Sequence, residues 1–323
     1  MTSRRALLAA PFALPAIIRP AVGQEAWPLR SVGVLLGYPP GGVTDFASRA
    51  VCERMSRALG QTLVLENRPG AATAVANTAV AQARPDGYTL LMGTSTLAIN
   101  PALQPNLTPR EPMRELTPIG MIFRTAFVLH VHPSVPARTP AELIAYAKAN
   151  PGKLNFGSSG TGAVNHLCLE LFRARAGIDV VHVPYRGGAP ALLDLRAGRI
   201  QGMFNAVQEA LPAVREGATR ALAISSKERA AAMPDLPPLA DTLPNFDGVF
   251  WQGLFGPAGL PAPIVARAGA ALREATTDAA LIARMAEQGV ALTTGDADAL
   301  RRTLEEETEM WGRLIREQNI RPE

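Results

Sequence analysis

The chain is poor in reactive side chains. It has only two cysteines and four histidines in 323 residues, with no CxxC pair and no cysteine–histidine cluster at zinc spacing. Cys52 and Cys168 lie far apart, each inside an apolar helical pattern. A disulfide would need their Cα atoms within about 7 Å, so both read as free thiols buried as small hydrophobes. His130 and His132 share one strand face without a neighbouring Cys, Asp or Glu, which is too few ligands for a metal site. Aromatic residues make up 5% of the chain. After the first residues, no apolar run is long and uninterrupted enough to span a bilayer. GxGxxG and the P-loop pattern are both missing, so no nucleotide cofactor is expected.

The N-terminus has the layout of an export signal: Arg4 and Arg5, an apolar stretch over 6–18, then Ala21 and Gly23. The run Ser3-Arg4-Arg5-Ala6-Leu7-Leu8 resembles a twin-arginine signal. Pro11 and Pro15 interrupt a stretch already short for a membrane anchor, so residues 1–23 are expected to be removed on export to the periplasm. Their removal takes three arginines and no acid, lowering the formal charge from +4 to +1. The remaining charges are mixed along the chain, with no basic stripe to bind nucleic acid.

Strand-like and helical runs alternate along the rest of the chain, as in α/β proteins with mainly parallel sheets flanked by helices. Strands are expected over 32–36, 63–66, 89–93, 119–131, 154–157, 180–183, 202–205, 221–225 and 250–255. Helices are expected over 73–83, 140–149, 163–176, 190–197, 263–276, 280–288 and 297–318. Residues 233–244 read as a surface loop. In the last helix, Glu305, Glu306 and Glu307 read as a solvated face.

The turn Tyr38-Pro39-Pro40-Gly41-Gly42-Val43-Thr44-Asp45 joins the first strand to a helix. It is either a tight connection with glycines at positive φ or an anion seat, because free N–H groups at a helix start favour negative charge. Two more polar turns end strands: Gly93-Thr94-Ser95-Thr96 and Gly157-Ser158-Ser159-Gly160-Thr161-Gly162. In open α/β sheets, ligands settle beyond the carboxyl ends of strands, and these turns supply neutral donors suited to a carboxylate. Capping and turn chemistry is the competing explanation for each.

The chain resembles the Bug family of periplasmic solute receptors, the TctC-like binding subunits of tripartite tricarboxylate transporters. The resemblance rests on Pro39 to Asp45, Val64-Leu65-Glu66-Asn67-Arg68-Pro69-Gly70-Ala71, Pro85-Asp86-Gly87-Tyr88-Thr89-Leu90 and Ala98-Ile99-Asn100-Pro101. It continues through Asn150-Pro151-Gly152-Lys153-Leu154-Asn155, His182-Val183-Pro184-Tyr185-Arg186-Gly187-Gly188-Ala189-Pro190 and Trp311-Gly312. It implies a two-lobed type II periplasmic binding protein fold with two chain crossings. Residues 24–125 and 252–323 would form one lobe and 126–251 the other. It also implies a non-enzymatic, cofactor-free monomer that closes by a hinge on a small carboxylate: a di- or tricarboxylate, an acidic amino acid or an aromatic acid. The receptor would then deliver this ligand to membrane permease subunits. By matching motif, the ligand would meet Tyr38, Gly41, Gly42 and Thr44 in one lobe and Ser158, Ser159, Gly160 and Thr161 in the other. Thr94, Ser95 and Thr96 join them by position.

One position departs from the family pattern. Met203-Phe204-Asn205-Ala206 stands where relatives carry Met-Phe-Asp-Asn, so an amide donor and acceptor replaces a negative charge. Asn205 either faces the cleft and accommodates an anionic distal group, or only bonds neighbouring backbone. A rival assignment, a secreted serine hydrolase acting on a small carboxylic ester, would draw on Ser158, Ser159, His166 and Asp179. The Gly157 to Thr161 run does not fit GxSxG, however, and His166 on a helix has no evident path to Ser159.

Overall fold

The computed structural model describes residues 27–287 and 290–322, so the export signal expected over 1–23 lies outside the described residues. The chain opens with β1 (Val32–Leu36), α1 (Val43–Leu59), β2 (Leu63–Asn67), α2 (Ala74–Ala81), β3 (Thr89–Thr94), α3 (Thr96–Leu103) and α4 (Pro112–Glu115). It then runs into a 16-residue strand, β4 (Leu116–Val131). Next come α5 (Pro140–Ala149), β5 (Asn155–Ser158), α6 (Val164–Ala176), β6 (Val181–Pro184), α7 (Gly188–Arg196), β7 (Gly202–Ala206), α8 (Val207–Arg215) and β8 (Arg220–Ile224). The last part holds β9 (Val249–Pro257), α9 (Ala262–Thr277), α10 (Ala279–Glu287), β10 (Ala291–Gly295) and α11 (Ala297–Glu317).

Most of the expected elements form. α3, α4, α8 and β10 were not anticipated: α3 and α8 carry an internal proline, Pro101 and Pro212, which argues against a helix, and α4 and β10 are only four and five residues long. The anticipated helix over 73–83 starts one residue later, after an unusual turn described below. Capping explains several boundaries. Thr139 accepts from the Glu142 N–H at the start of α5, and Asp296 accepts from Ala299 N–H at the start of α11. Gly60 and Gly177 take left-handed conformations that end α1 and α6.

The strands form two sheets that share β4. In the first, β2, β1 and β3 are parallel, β9 runs antiparallel to β3, and β4 lies between β9 and β10. In the second, β6, β5 and β7 are parallel, and β4 lies between β7 and β8. Ala126 still pairs with Val249 in the first sheet, whereas Phe127 already pairs with Ala206 in the second. Nearly every residue of β4 is buried, as expected of a strand covered on both faces. The result is a two-lobed α/β protein of the type II periplasmic binding class.

Ser225 ties the two crossing segments together. Its hydroxyl accepts from Phe127 N–H and donates to Gly248 C=O, while its backbone bonds both residues again. The residue is fully buried, so removing the hydroxyl leaves two backbone groups without water or partner. Ser225→Ala is expected to lower stability by about 2 kcal/mol in urea unfolding.

One apolar core continues through the crossing, with Trp251 of β9 and Leu304 and Trp311 of α11 on one side and Phe156 of β5, Phe172 of α6 and Phe204 of β7 on the other. Here the structure corrects the sequence reading of the acidic run. Glu305 and Glu306 are exposed, but Glu307 is buried and accepts indole N–H bonds from Trp251 at 2.8 Å and Trp311 at 3.3 Å. The helical period turns only this member of the run inward. Burial pushes its carboxyl up to about 8, against the two indole bonds and the Arg124 charge, with Asp247 adding to the rise. Burial likewise lowers His130, which bonds Thr219, to about 3.

These two groups shape the pH dependence of folding. As pH falls from 6.5 towards 3, the unfolded chain protonates His130 and the folded one does not, so stability is lost. As pH rises from 4.5 towards 8, the unfolded chain ionises Glu307 and the folded one does not, so stability is again lost. Between 4.5 and 6.5 the two slopes cancel. Urea titrations are expected to show Glu307→Gln removing a loss of about 2 kcal/mol between pH 6.5 and 8, and His130→Gln flattening the acid limb. An unaltered alkaline slope in Glu307→Gln would contradict the assignment.

Candidate functional site

Three strand ends carry the expected site residues. At the end of β1, Gly41 takes φ +93°, which only glycine adopts easily, and Gly42 caps α1 in extended backbone. The Gly41 N–H donates to the Asp45 carboxylate at 3.0 Å, so the anion seat is already partly filled by the chain itself. Burial raises the Asp45 carboxyl, but hydrogen bonds from Arg49, Asn67 and Gly41 outweigh it and hold the group below its usual range. Thr44 is also buried, and its C=O accepts from the Ser48 hydroxyl at 2.6 Å.

The end of β3 gives a chain of hydroxyls. Thr94 Oγ1 lies 3.4 Å from the Tyr38 hydroxyl and 3.0 Å from Thr96 Oγ1. Thr96 Oγ1 is 2.8 Å from Thr73 Oγ1, which accepts from the Asn77 amide at 3.0 Å. Ser95 is placed differently. Its hydroxyl accepts the Trp251 N–H at 2.9 Å inside the protein, so it secures the turn to β9.

Thr73 is a member of this group that the sequence did not reveal. It closes a run of three consecutive non-glycine residues at positive φ, Ala71 (44°), Ala72 (50°) and Thr73 (74°). Left-handed backbone costs about 1–2 kcal/mol per such residue, so the surroundings must hold it. The Asn100 amide donates to Ala72 C=O at 2.9 Å. A Cβ on Gly37 would come within 2.6 Å of Thr73 Cβ, so Gly37 leaves the space Thr73 needs. Gly70 is the only local hint of this turn, because its holding contacts come from β1 and α3.

In the second sheet, β5 leads into the 157–162 turn. Ser158 is fully buried; its Oγ donates to Gly160 C=O and lies 2.6 Å from His182 Nε2. Ser159 is half-buried and both its N–H and Oγ–H reach Asn165 Oδ1, at 3.3 and 2.8 Å. The Asn165 amide then donates to Phe204 C=O at 3.2 Å, fastening the turn to β7 beside Asn205. Gly162 N–H donates to His166 Nδ1 at 3.0 Å, and that ring stacks on His182 with centroids 3.9 Å apart. Beneath it, burial raises the Glu170 carboxyl, but bonds from His166 and Arg173 outweigh this and leave it low.

These bonds count against the hydrolase assignment. Ser159 bonds Asn165, so the Ser159–His166 pair does not form. Ser158 is fully buried, its hydroxyl shared between His182 Nε2 at 2.6 Å and Gly160 at 3.2 Å, so it is not presented to a substrate.

The far end of α3, which begins at the β3 turn, touches the β5 turn where Leu103 packs against Gly162. Gly162 has φ +80°, and a Cβ there would lie 2.2 Å from Leu103 Cδ2. Leu103 ends α3, roughly 10 Å along the helix from Thr96. Asn205 on β7 accepts from Ala206 N–H at 3.0 Å with Oδ1, which fixes the amide, and its buried Nδ2 has no partner among the described residues. Close by, Gly188 leaves room for the Glu209 carboxylate, 2.7 Å from where a Cβ would sit. Burial raises that carboxyl. Glu209 was not singled out from sequence, since an acid in the first turn of a helix is ordinary.

Among the described residues no group of three His, Cys, Asp or Glu side chains is placed to hold a metal, and both cysteines are free and buried. No described helix is long and apolar enough to cross a membrane.

This architecture defines a periplasmic-binding-type receptor fold. The chain belongs to the TctC family, tripartite tricarboxylate transporter family receptors, whose model matches residues 47–320. It is 31% identical over 309 residues to Protein BugT of Bordetella pertussis, covering 95% of this chain and 94% of that one. An R. palustris protein solved with adipate is 30% identical at a TM-score of 0.77, over 92% of this chain and 100% of its own. MatC from Rhodopseudomonas palustris, solved with bound malate, is 32% identical at a TM-score of 0.74, over 90% and 100%.

Thr73→Val keeps the shape of the side chain but removes the hydroxyl between Thr96 and Asn77. Urea unfolding is expected to show a loss of about 1–2 kcal/mol, and Thr96→Val a smaller one because Thr96 is less buried.

Proposed function

We propose that this protein is a periplasmic receptor that captures a small dicarboxylate between its lobes and hands it to membrane transporter subunits. In this reading 24–125 with 252–323 forms one lobe, 126–251 the other, and an N-terminal twin-arginine signal exports a monomeric, non-enzymatic protein. What supports this is that polar turns end strands in both sheets. The Tyr38–Thr94–Thr96–Thr73 hydroxyls belong to one and the 157–162 turn to the other, and Leu103 of α3 packs against Gly162 of that turn. The one arginine bonded into these turns, Arg49, is paired with Asp45, so a ligand carboxylate would be held by hydroxyl and backbone donors. Adipate and malate in the two similar structures support this ligand class. Because only the closed form touches ligand from both sides, binding selects closure.

Asn205 supplies the distal end. Its unpaired Nδ2 is a donor for a second carboxylate oxygen, and an aspartate there would repel that group. Calorimetry with adipate, malate and glutamate tests this. At least one dicarboxylate should bind, and a ligand at 100 times its dissociation constant should add about 2.7 kcal/mol of stability. Asn205→Asp is expected to weaken the dicarboxylates about tenfold relative to glutamate. An unchanged ratio removes the role given to Asn205, and binding of neutral solutes alone removes the carboxylate reading.

A further inference from the structure

A cavity of about 740 Å³ lies beside the crossing, and none of the twelve residues expected at the ligand turns lines it. Its walls come from both sheets: Arg124 and Ala126 on β4, Thr293 on β10, Glu307 on α11, and the 226–232 segment that follows β8. In the first sheet β10 pairs with the edge of β4 opposite β9, away from β1 and β3. In the second sheet β8 pairs with the edge opposite β7, away from β5. In each sheet, therefore, β4 separates the cavity wall from the strands that carry the turns.

The charges inside are unevenly partnered. Arg124 reaches the Asp247 carboxylate at 3.6 Å and Lys227 reaches the same group at 3.9 Å, both longer than a hydrogen bond. Two cations thus share one carboxylate. The neighbouring Glu307 is buried and held neutral by its surroundings up to about pH 8. Lys227, Glu228, Arg229 and Glu306 are exposed at the rim with balanced charge, which leaves Arg124, 3.6 Å from Asp247, as the cation deeper in the cavity. An apolar wall is formed by Ala126, Val207, Val249, Val290 and Met310. A volume of this size suits a small organic ligand. A guanidinium beside an apolar wall suits a carboxylate with a hydrocarbon body.

We propose that this cavity is a second binding site, for a small monocarboxylate with an apolar body, whose carboxylate bonds Arg124 and whose occupancy is coupled to the ligand cleft. The site stands on its own residues; the coupling rests on the hinged-receptor reading above. Since both sheets supply its walls, a bound molecule favours one lobe arrangement over another and so changes affinity at the turns. Thermodynamic linkage makes the effect reciprocal.

The test uses the full chain with benzoate as probe and adipate as the ligand of the turns. Wild type should bind benzoate at concentrations up to about 10 mM. Arg124→Met should weaken it about tenfold, and Asp247→Asn, which removes the competing carboxylate, should tighten it about threefold. Thr94→Val should leave benzoate unaffected while weakening adipate. Benzoate and adipate should each change the other's dissociation constant by the same factor, about threefold or more. Benzoate binding that ignores both Arg124→Met and Asp247→Asn, or that vanishes in Thr94→Val, overturns the site. Independent affinities overturn the coupling. Adipate failing to bind while benzoate follows Arg124 and Asp247 would count against the proposed function and leave the second site standing.

Discussion

Two chain segments, the buried β4 and the link from β8 into β9, join the sheets, and every longer-range feature depends on how they are held. A strand at about 3.3 Å per residue carries β4 roughly 50 Å through both sheets without a break. Ser225 fixes the return segment to it with bonds to Phe127 and Gly248. Burial makes these bonds stringent, because a backbone group lost from them has no water to replace its partner. The same crossing carries Trp251, whose backbone holds Ser95 and whose indole bonds Glu307. The turn after β3, the last helix and the crossing are therefore one connected unit.

That connection accounts for the division of labour among the polar residues. Ser95 and Ser158 look like ligand groups in sequence, yet each is committed to holding a turn in shape, as is Asp45 at the first turn. One step further out, Thr94 and Thr96 bond only other hydroxyls, and Asn205 Nδ2 has no partner among the described residues. Such layering is what a binding site needs, since a first layer is only as well placed as the residues fixing its rotamers. The strained 71–73 turn belongs to this second layer too, because it sets the Thr73 hydroxyl against Thr96. Backbone strain of this kind persists only where neighbours over-determine it.

Much of the fold was legible locally. The apolar runs of β1, β3 and β5 with their glycine or serine turns, the Pro140 and Asp296 helix starts, and the alternation of strand and helix all carry local signals. Less legible were α3, α8 and β10, whose short segments are stabilised by what they pack against. Glu307 shows the limit most clearly. As one of three adjacent glutamates it reads as solvated, and only the packing of α11 against Trp251, with Trp311 one turn further along the same helix, takes it out of water. Thr73, Asn165 and Glu209 escaped notice for a similar reason: their partners are 6 to 39 residues away or are defined by a close approach at a glycine.

The sequence by itself determined the α/β class, the three polar strand ends and the family, because turn chemistry and hydrophobic period act over a few residues. Tertiary structure alone decided which hydroxyls remain available, where the sheets exchange strands, and how Arg124, Lys227 and Asp247 come to share one cavity. Hydrogen-bond partnership and burial depend on residues brought together from distant parts of the chain, and no local pattern encodes their distances.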